Sequence, residues 1–130
     1  MATDYAERSR ALVGTRFRPQ GRSETELDCV GVVLSTFGLA NDTVRRDYRM
    51  RGDHRSEIES KLMDRFRRVP KAQLRTGDVM LLEIATEQMH LAVRTERGFV
   101  HGHAGIGRVV ETPGLPEWRL LGVYRKRRER

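Results

Sequence analysis

The one cysteine of the chain lies in "TELDCVGVVLSTFG", residues 25 to 38, between an acid and a run of small and apolar side chains. A thiol reacts as a nucleophile in its thiolate form. The first turn of a helix, with N–H groups that have no carbonyl one turn back and the positive end of the dipole, favours that form. Asp28 suits the N-cap position, because its carboxylate can accept from a backbone N–H one turn on, and "SETE" just before it offers a weak Ser-x-x-Glu capping pattern. Cys29 then stands at the first helical position. Gly31 leaves room beside the sulfur, and Val32, Val33, Leu34 and Phe37 point the helix into a core. Taken by itself, such a cysteine also fits inert packing, so chemistry requires a base.

Histidine supplies the candidates, and the chain has four. His54 opens a charged segment and reads as a solvated side chain. His90 begins the apolar stretch "HLAV". His101 and His103 alternate in "FVHGHAG", so they share a face if that stretch is extended. An imidazole beside a thiol can take its proton and return it to a leaving amine, while a polar group on the far ring nitrogen fixes the tautomer. Three unrelated polar residues remain the alternative reading. A metal site built from His90, His101 and His103 is chemically conceivable, but no carboxylate stands at ligand-like spacing, so neither a metal nor a cofactor is expected.

These residues need elements to position them. A chain of 130 residues suits one domain with a single core. One cysteine allows no internal disulfide. The start, "MATDYAERSR", lacks the basic and then apolar pattern of a signal peptide, and no stretch approaches the ~18 apolar residues of a membrane span. The expectation is a chain made in the cytoplasm. Up to about Val69 the apolar residues recur at helical spacing: Tyr5, Ala6, Ala11 and Leu12 first, then Ile58, Leu62, Met63 and Phe66. After Pro70 the chain breaks into short apolar segments, "DVMLLEI", "HLAVRT", "FVHGH", "GRVVET" and "RLLGVYR", with turns at "ERG" and "GIG". Helices followed by strands predict an α+β domain with an antiparallel sheet. The segment 29 to 37 is the ambiguous one, since its valines would also suit a buried strand.

Four ordered segments carry a family resemblance: "GTRFRPQGRSETELDCVGVVLSTFG", "RTGDVMLLEI", "MHLAV" and "FVHGHAG". Together they resemble the NlpC-type papain-like cell-wall cysteine peptidases, whose pattern runs Gly-Thr-Pro-Tyr, Asp-Cys-x-Gly, Pro-Gly-Asp, His-Val-Gly-Ile and a Phe/Val-Ile-His strand. The likeness spans about residues 10 to 124 of a single domain, 1–130, which leaves a basic tail at 125–130. It implies a papain-like α+β domain with the nucleophile at the start of the central helix. It also implies cleavage of peptidoglycan stem peptides, typically between γ-D-glutamate and diaminopimelate. The compact size and "GHAGIGRVVETP" are most similar to the subgroup carried by phage tails and gene transfer agents. That subgroup implies tail-tip or hub partners, assembly into a virion tail, and action on the wall in the periplasm.

Position by position, the resemblance makes Cys29 the nucleophile, His90 the base and acid, and His101 the third polar residue. Phe17, Asp28 and His103 are the substrate-side candidates. An oxyanion would rest on the backbone N–H of Cys29 and a neighbouring donor, a contact worth roughly 3 kcal/mol. The sequence departs from the pattern at Arg16 and Phe17, where the family has Pro and a Tyr hydroxyl. The same fold could therefore serve as a structural tail subunit of low activity.

The balance of 25 Lys+Arg against 18 Asp+Glu favours an anionic partner. Arg45, Arg46, Arg49, Arg51 and Arg55, then Arg65, Arg67 and Arg68, then "RKRRER" could follow a phosphate backbone. The aromatics are few and not interleaved with these arginines, which argues against nucleic-acid stacking. The glycines of "GHAGIG" read as turns rather than as a phosphate loop.

Overall fold

The computed structural model describes residues 4–18, 26–39, 55–85 and 88–127. Their order is α1 (Tyr5–Arg10), β1 (Arg16–Phe17), β2 (Glu26–Leu27), α2 (Cys29–Phe37), α3 (Arg55–Arg65) and β3 (Phe66–Val69), then a 3₁₀ turn at Lys71–Gln73. The strands β4 (Val79–Ala85), β5 (Gln88–Arg94), β6 (Gly98–His103), β7 (Arg108–Pro113) and β8 (Arg119–Lys126) complete it.

α2 is the ambiguous segment, and capping decides it. Asp28 is extended, at φ −99° and ψ −174°, and its carboxylate accepts from the Gly31 N–H at 2.6 Å. At the other end Gly38 takes φ +67°, a left-handed conformation natural to glycine, and its N–H donates to the carbonyls of Leu34 and Ser35. Between these caps every residue except Ser35 is buried. Burial on all sides outweighs the valines' strand preference, because a helix can offer apolar side chains in every direction. One flank packs Val30, Val33, Leu34 and Phe37 with Leu91, Val93 and Tyr124, and the other sets Val32 among Leu27, Val100 and Val109.

The sheet runs β2-β1-β7-β6-β5-β4-β8-β3. The five apolar segments after Pro70 are β4 to β8, paired antiparallel, as short apolar segments separated by turns predict. The division at Val69 needs correction, because three strands come from the first half. β1 and β2 pair in parallel at one edge, and β3 joins β8 at the other. Two-residue strands carry no period, so β1 and β2 leave no pattern to read. Phe66 sits at helical spacing from Ile58 and Leu62 and is 2% exposed, yet it opens β3 opposite Lys126, while Met63 is 39% exposed.

The chain ends also differ from expectation. The ordered core starts before residue 10, with Ala6 and Ser9 buried in α1. Arg125 and Lys126 belong to β8 rather than to a tail. Arg125 holds the 2% exposed carboxylate of Asp78 through two bonds of 2.8 Å, and Arg127 donates to the Phe66 carbonyl at 3.0 Å. Arg55 lies 3.1 Å from Glu59, and Arg68 donates to the Leu121 carbonyl at 3.3 Å, so part of the basic surface serves the fold. Arg45, Arg46, Arg49, Arg51, His54 and most of "SETE" lie outside the described residues.

Candidate active site

Cys29 is the first residue of α2 and is 7% exposed. Its neighbour Asp28 spends one carboxylate oxygen on the cap, which fixes where the helix begins and so where the thiol stands. Met89 and Leu91, on either side of His90, belong to the same apolar cluster as Cys29. The start of α2 meets the histidine strand at Gly102. A Cβ on Gly102 would lie 2.8 Å from the Phe17 ring, which would have to shift, and 3.7 Å from the Asp28 carbonyl carbon, an ordinary contact, so glycine here makes room for the Phe17 ring. Phe17 and Asp28 are thereby seated against the residue between His101 and His103.

On β5 and β6 the rings come together. His90 Nε2 lies 2.9 Å from His101 Nδ1, and the two ring planes cross at 81°. His90 is 8% exposed and His101 1%. His101 Nε2 in turn lies 2.9 Å from Thr112 Oγ1 on β7. Phe99 packs tilted against His101 with ring centres 4.7 Å apart, and Trp118 stands edge-on to both histidines, at 5.9 Å from His90 and 5.8 Å from His101. Ring nitrogens enclosed in this way can satisfy each other but find little water.

The enclosure sets their charge state. Burial first, and then the neighbouring His101 and His103, lower the pKa of His90 from its ordinary value to about 3. Burial and then His103 lower that of His101 to about 4. Both rings are neutral near pH 7, and each neutral ring has one donor and one acceptor nitrogen. His103 is occupied differently. It is half-buried, and its Nδ1 accepts from the Ile106 N–H at 3.1 Å, which closes the turn between β6 and β7.

The structure thus joins His90 to His101, sets Phe17 and Asp28 beside their strand, and gives His103 to a turn. Thr112 and Trp118 are additions that sequence reasoning does not reach. Thr112 lies in the strand segment "RVVETP", but only the pairing of Phe99 with Thr112 brings its hydroxyl to His101. Among the described residues no group of three His, Cys, Asp or Glu side chains could hold a metal ion. No described helix is long and apolar enough to cross a membrane.

No protein-family model matches the sequence, and no curated protein does. Solved structures do match. NlpC2 from Trichomonas vaginalis superposes with a TM-score of 0.69 at 12% identity, over 94% of this chain and 44% of that one. The fold is that of the NlpC and P60 domains. The P60 domain of an antigen from M. avium subspecies paratuberculosis gives 0.60 at 16% identity, covering 95% of this chain and 91% of that one. The peptidoglycan hydrolase RipB from Mycobacterium tuberculosis gives 0.58 at 18% identity, covering 95% of this chain and 62% of that one. The chain spans less than half of the Trichomonas proteins, at 44% and 42% of their lengths. The NlpC-like α+β class expected from the four sequence segments is therefore the class observed.

Proposed function

We propose that this chain is a cysteine peptidase that cleaves peptidoglycan stem peptides, with Cys29 as nucleophile, His90 as base and acid, and His101 orienting His90. The observation that carries the reading is the 2.9 Å bond between His90 Nε2 and His101 Nδ1, in a fold shared with NlpC and P60 domains. That bond engages Nε2 of His90, and in this reading Nδ1 is the nitrogen that serves the thiol. The RipB neighbour, a peptidoglycan hydrolase, supports the choice of substrate.

In the first half-reaction the Cys29 thiol gives its proton to His90 Nδ1, and the sulfur attacks the scissile carbonyl carbon. The resulting oxyanion is held by the backbone N–H of Cys29 and a neighbouring donor. Collapse breaks the C–N bond, and His90 returns its proton to the departing amine. A water then gives a proton to His90, attacks the thioester carbon and releases the new carboxylic acid, after which the proton returns to sulfur. A neutral His90 is the form that starts this cycle, and burial keeps it neutral.

The finer reading is a wall hydrolase of a phage-like tail, made in a bacterial cytoplasm, assembled with tail-tip or hub proteins, and acting in the periplasm on the γ-D-glutamyl-diaminopimelate bond. Its support is the "GHAGIGRVVETP" likeness. Phe17, whose ring meets Gly102 where the family pattern has a Tyr hydroxyl, favours the second reading of a weakly active structural subunit. Incubation with purified peptidoglycan, followed by mass spectrometry of the released muropeptides, separates these readings. The expected result is release of cut stem peptides by the parent and a loss of at least about 10³-fold in Cys29→Ala, which stays folded by circular dichroism. Equal release by Cys29→Ala would rule out the thiol mechanism.

A further inference from the structure

The hydrogen-bonded chain of rings continues past His101. Its Nε2 lies 2.9 Å from Thr112 Oγ1, and the roles assigned above make no use of that hydroxyl. We propose that Thr112 is a positioning residue: by accepting the Nε2–H of His101 it selects the tautomer of both histidines and leaves Nδ1 of His90 as a lone pair. The inference rests on the reading of His90 as the base.

Two proton arrangements satisfy the chain, and only one supplies a base. If Thr112 accepts from His101 Nε2–H, then His101 Nδ1 is a lone pair that accepts from His90 Nε2–H, and His90 Nδ1 is unprotonated. If Thr112 donates instead, His101 carries its proton on Nδ1 and gives it to His90 Nε2, which moves the proton of His90 onto Nδ1, where it blocks proton uptake from a thiol. Protonation does not bypass this choice near neutral pH, because burial keeps both rings neutral.

The surroundings leave the tautomer as the freedom to be set. His101 is 1% exposed, so solvent is not an alternative partner for its nitrogens, and Phe99 and Trp118 flank its ring at 4.7 and 5.8 Å. β6 and β7 are held close at this level: Phe99 pairs with Thr112, and a Cβ at Gly98 would run into the Thr112 carbonyl. The hydroxyl is therefore placed by backbone register rather than by a flexible side chain.

The test is nitrogen-15 NMR of histidine-labelled protein near pH 7.5, run with kcat and KM on stem-peptide substrate for the parent, Thr112→Ser and Thr112→Val. The parent and Thr112→Ser should show both His90 and His101 protonated at Nε2. Thr112→Val should move both protons to Nδ1 and lower kcat about 10- to 100-fold with KM within about twofold. Thr112→Ser should keep kcat within about threefold. A parent with His101 protonated at Nδ1, or unchanged tautomers in Thr112→Val, overturns the proposal, and the first of these needs no folded variant. A parent with the expected tautomers that releases no muropeptides leaves the positioning role standing and overturns the peptidase reading.

Discussion

The two halves of the candidate site are built by different rules. At the start of α2 everything is local: Asp28 caps, Cys29 follows, Gly31 supplies the capped N–H, and Gly38 closes the helix nine residues on. On the sheet, each group comes from a different strand. His90 is on β5, His101 on β6 and Thr112 on β7, and their contacts exist because antiparallel register brings Phe99 opposite Thr112 and Val93 opposite Val100. The first half tolerates changes elsewhere in the chain, while a one-residue slip in any of three strands would turn the second half to the wrong face.

Acid should reveal the difference most strongly. His90 and His101 have folded pKa values of about 3 and about 4 against 6.5 for an open imidazole, so below pH 6.5 the unfolded chain binds more protons than the folded one. Stability therefore rises with pH across this window and is lost as pH falls from about 6.5 towards 4, by up to about tenfold in the unfolding constant per pH unit for each histidine. Urea unfolding between pH 4 and 7 measures this. His90→Ala with His101→Ala should flatten the slope.

The next effect is catalytic and separates the paired histidines. His101→Ala removes the partner of His90 Nε2 and should lower turnover about 10²-fold or more, while His103→Ala, which loses only its bond to the Ile106 N–H, should cost much less. Kinetics of both variants on one wall substrate decide it. A larger loss for His103→Ala would transfer the orienting role across the turn.

The smallest effect belongs to the local half. Asp28→Ala deletes the 2.6 Å cap bond and should lower unfolding stability by about 1 kcal/mol, read from the urea midpoint, with Asp28→Asn recovering most of it. A loss several times larger would mean that the carboxylate does more than start the helix.

The same contrast explains what the sequence discloses. The cysteine helix is legible because caps and burial act within ten residues, and "ERG" and "GIG" mark real hairpin turns, the first closed by the Thr95 N–H on the Gly98 carbonyl and the second with Gly107 at φ +77°. His90 and His101 are legible as types at strand positions. Thr112 and Trp118 are not, since neither residue carries a local signature and both reach the rings through strand pairing and chain return. Phe66 misleads because helical spacing and strand burial ask for the same apolar residue, and only the open edge of β8 decides between them.

If the two halves form one site, the rate at which Cys29 reacts with iodoacetamide depends on His90. With His90 as base, the parent should be alkylated at pH 7 roughly tenfold or more faster than His90→Ala, with both proteins folded by circular dichroism. Equal rates in the two proteins across pH 5 to 9 would separate the two halves and leave Cys29 as a packed thiol beside an unrelated histidine pair.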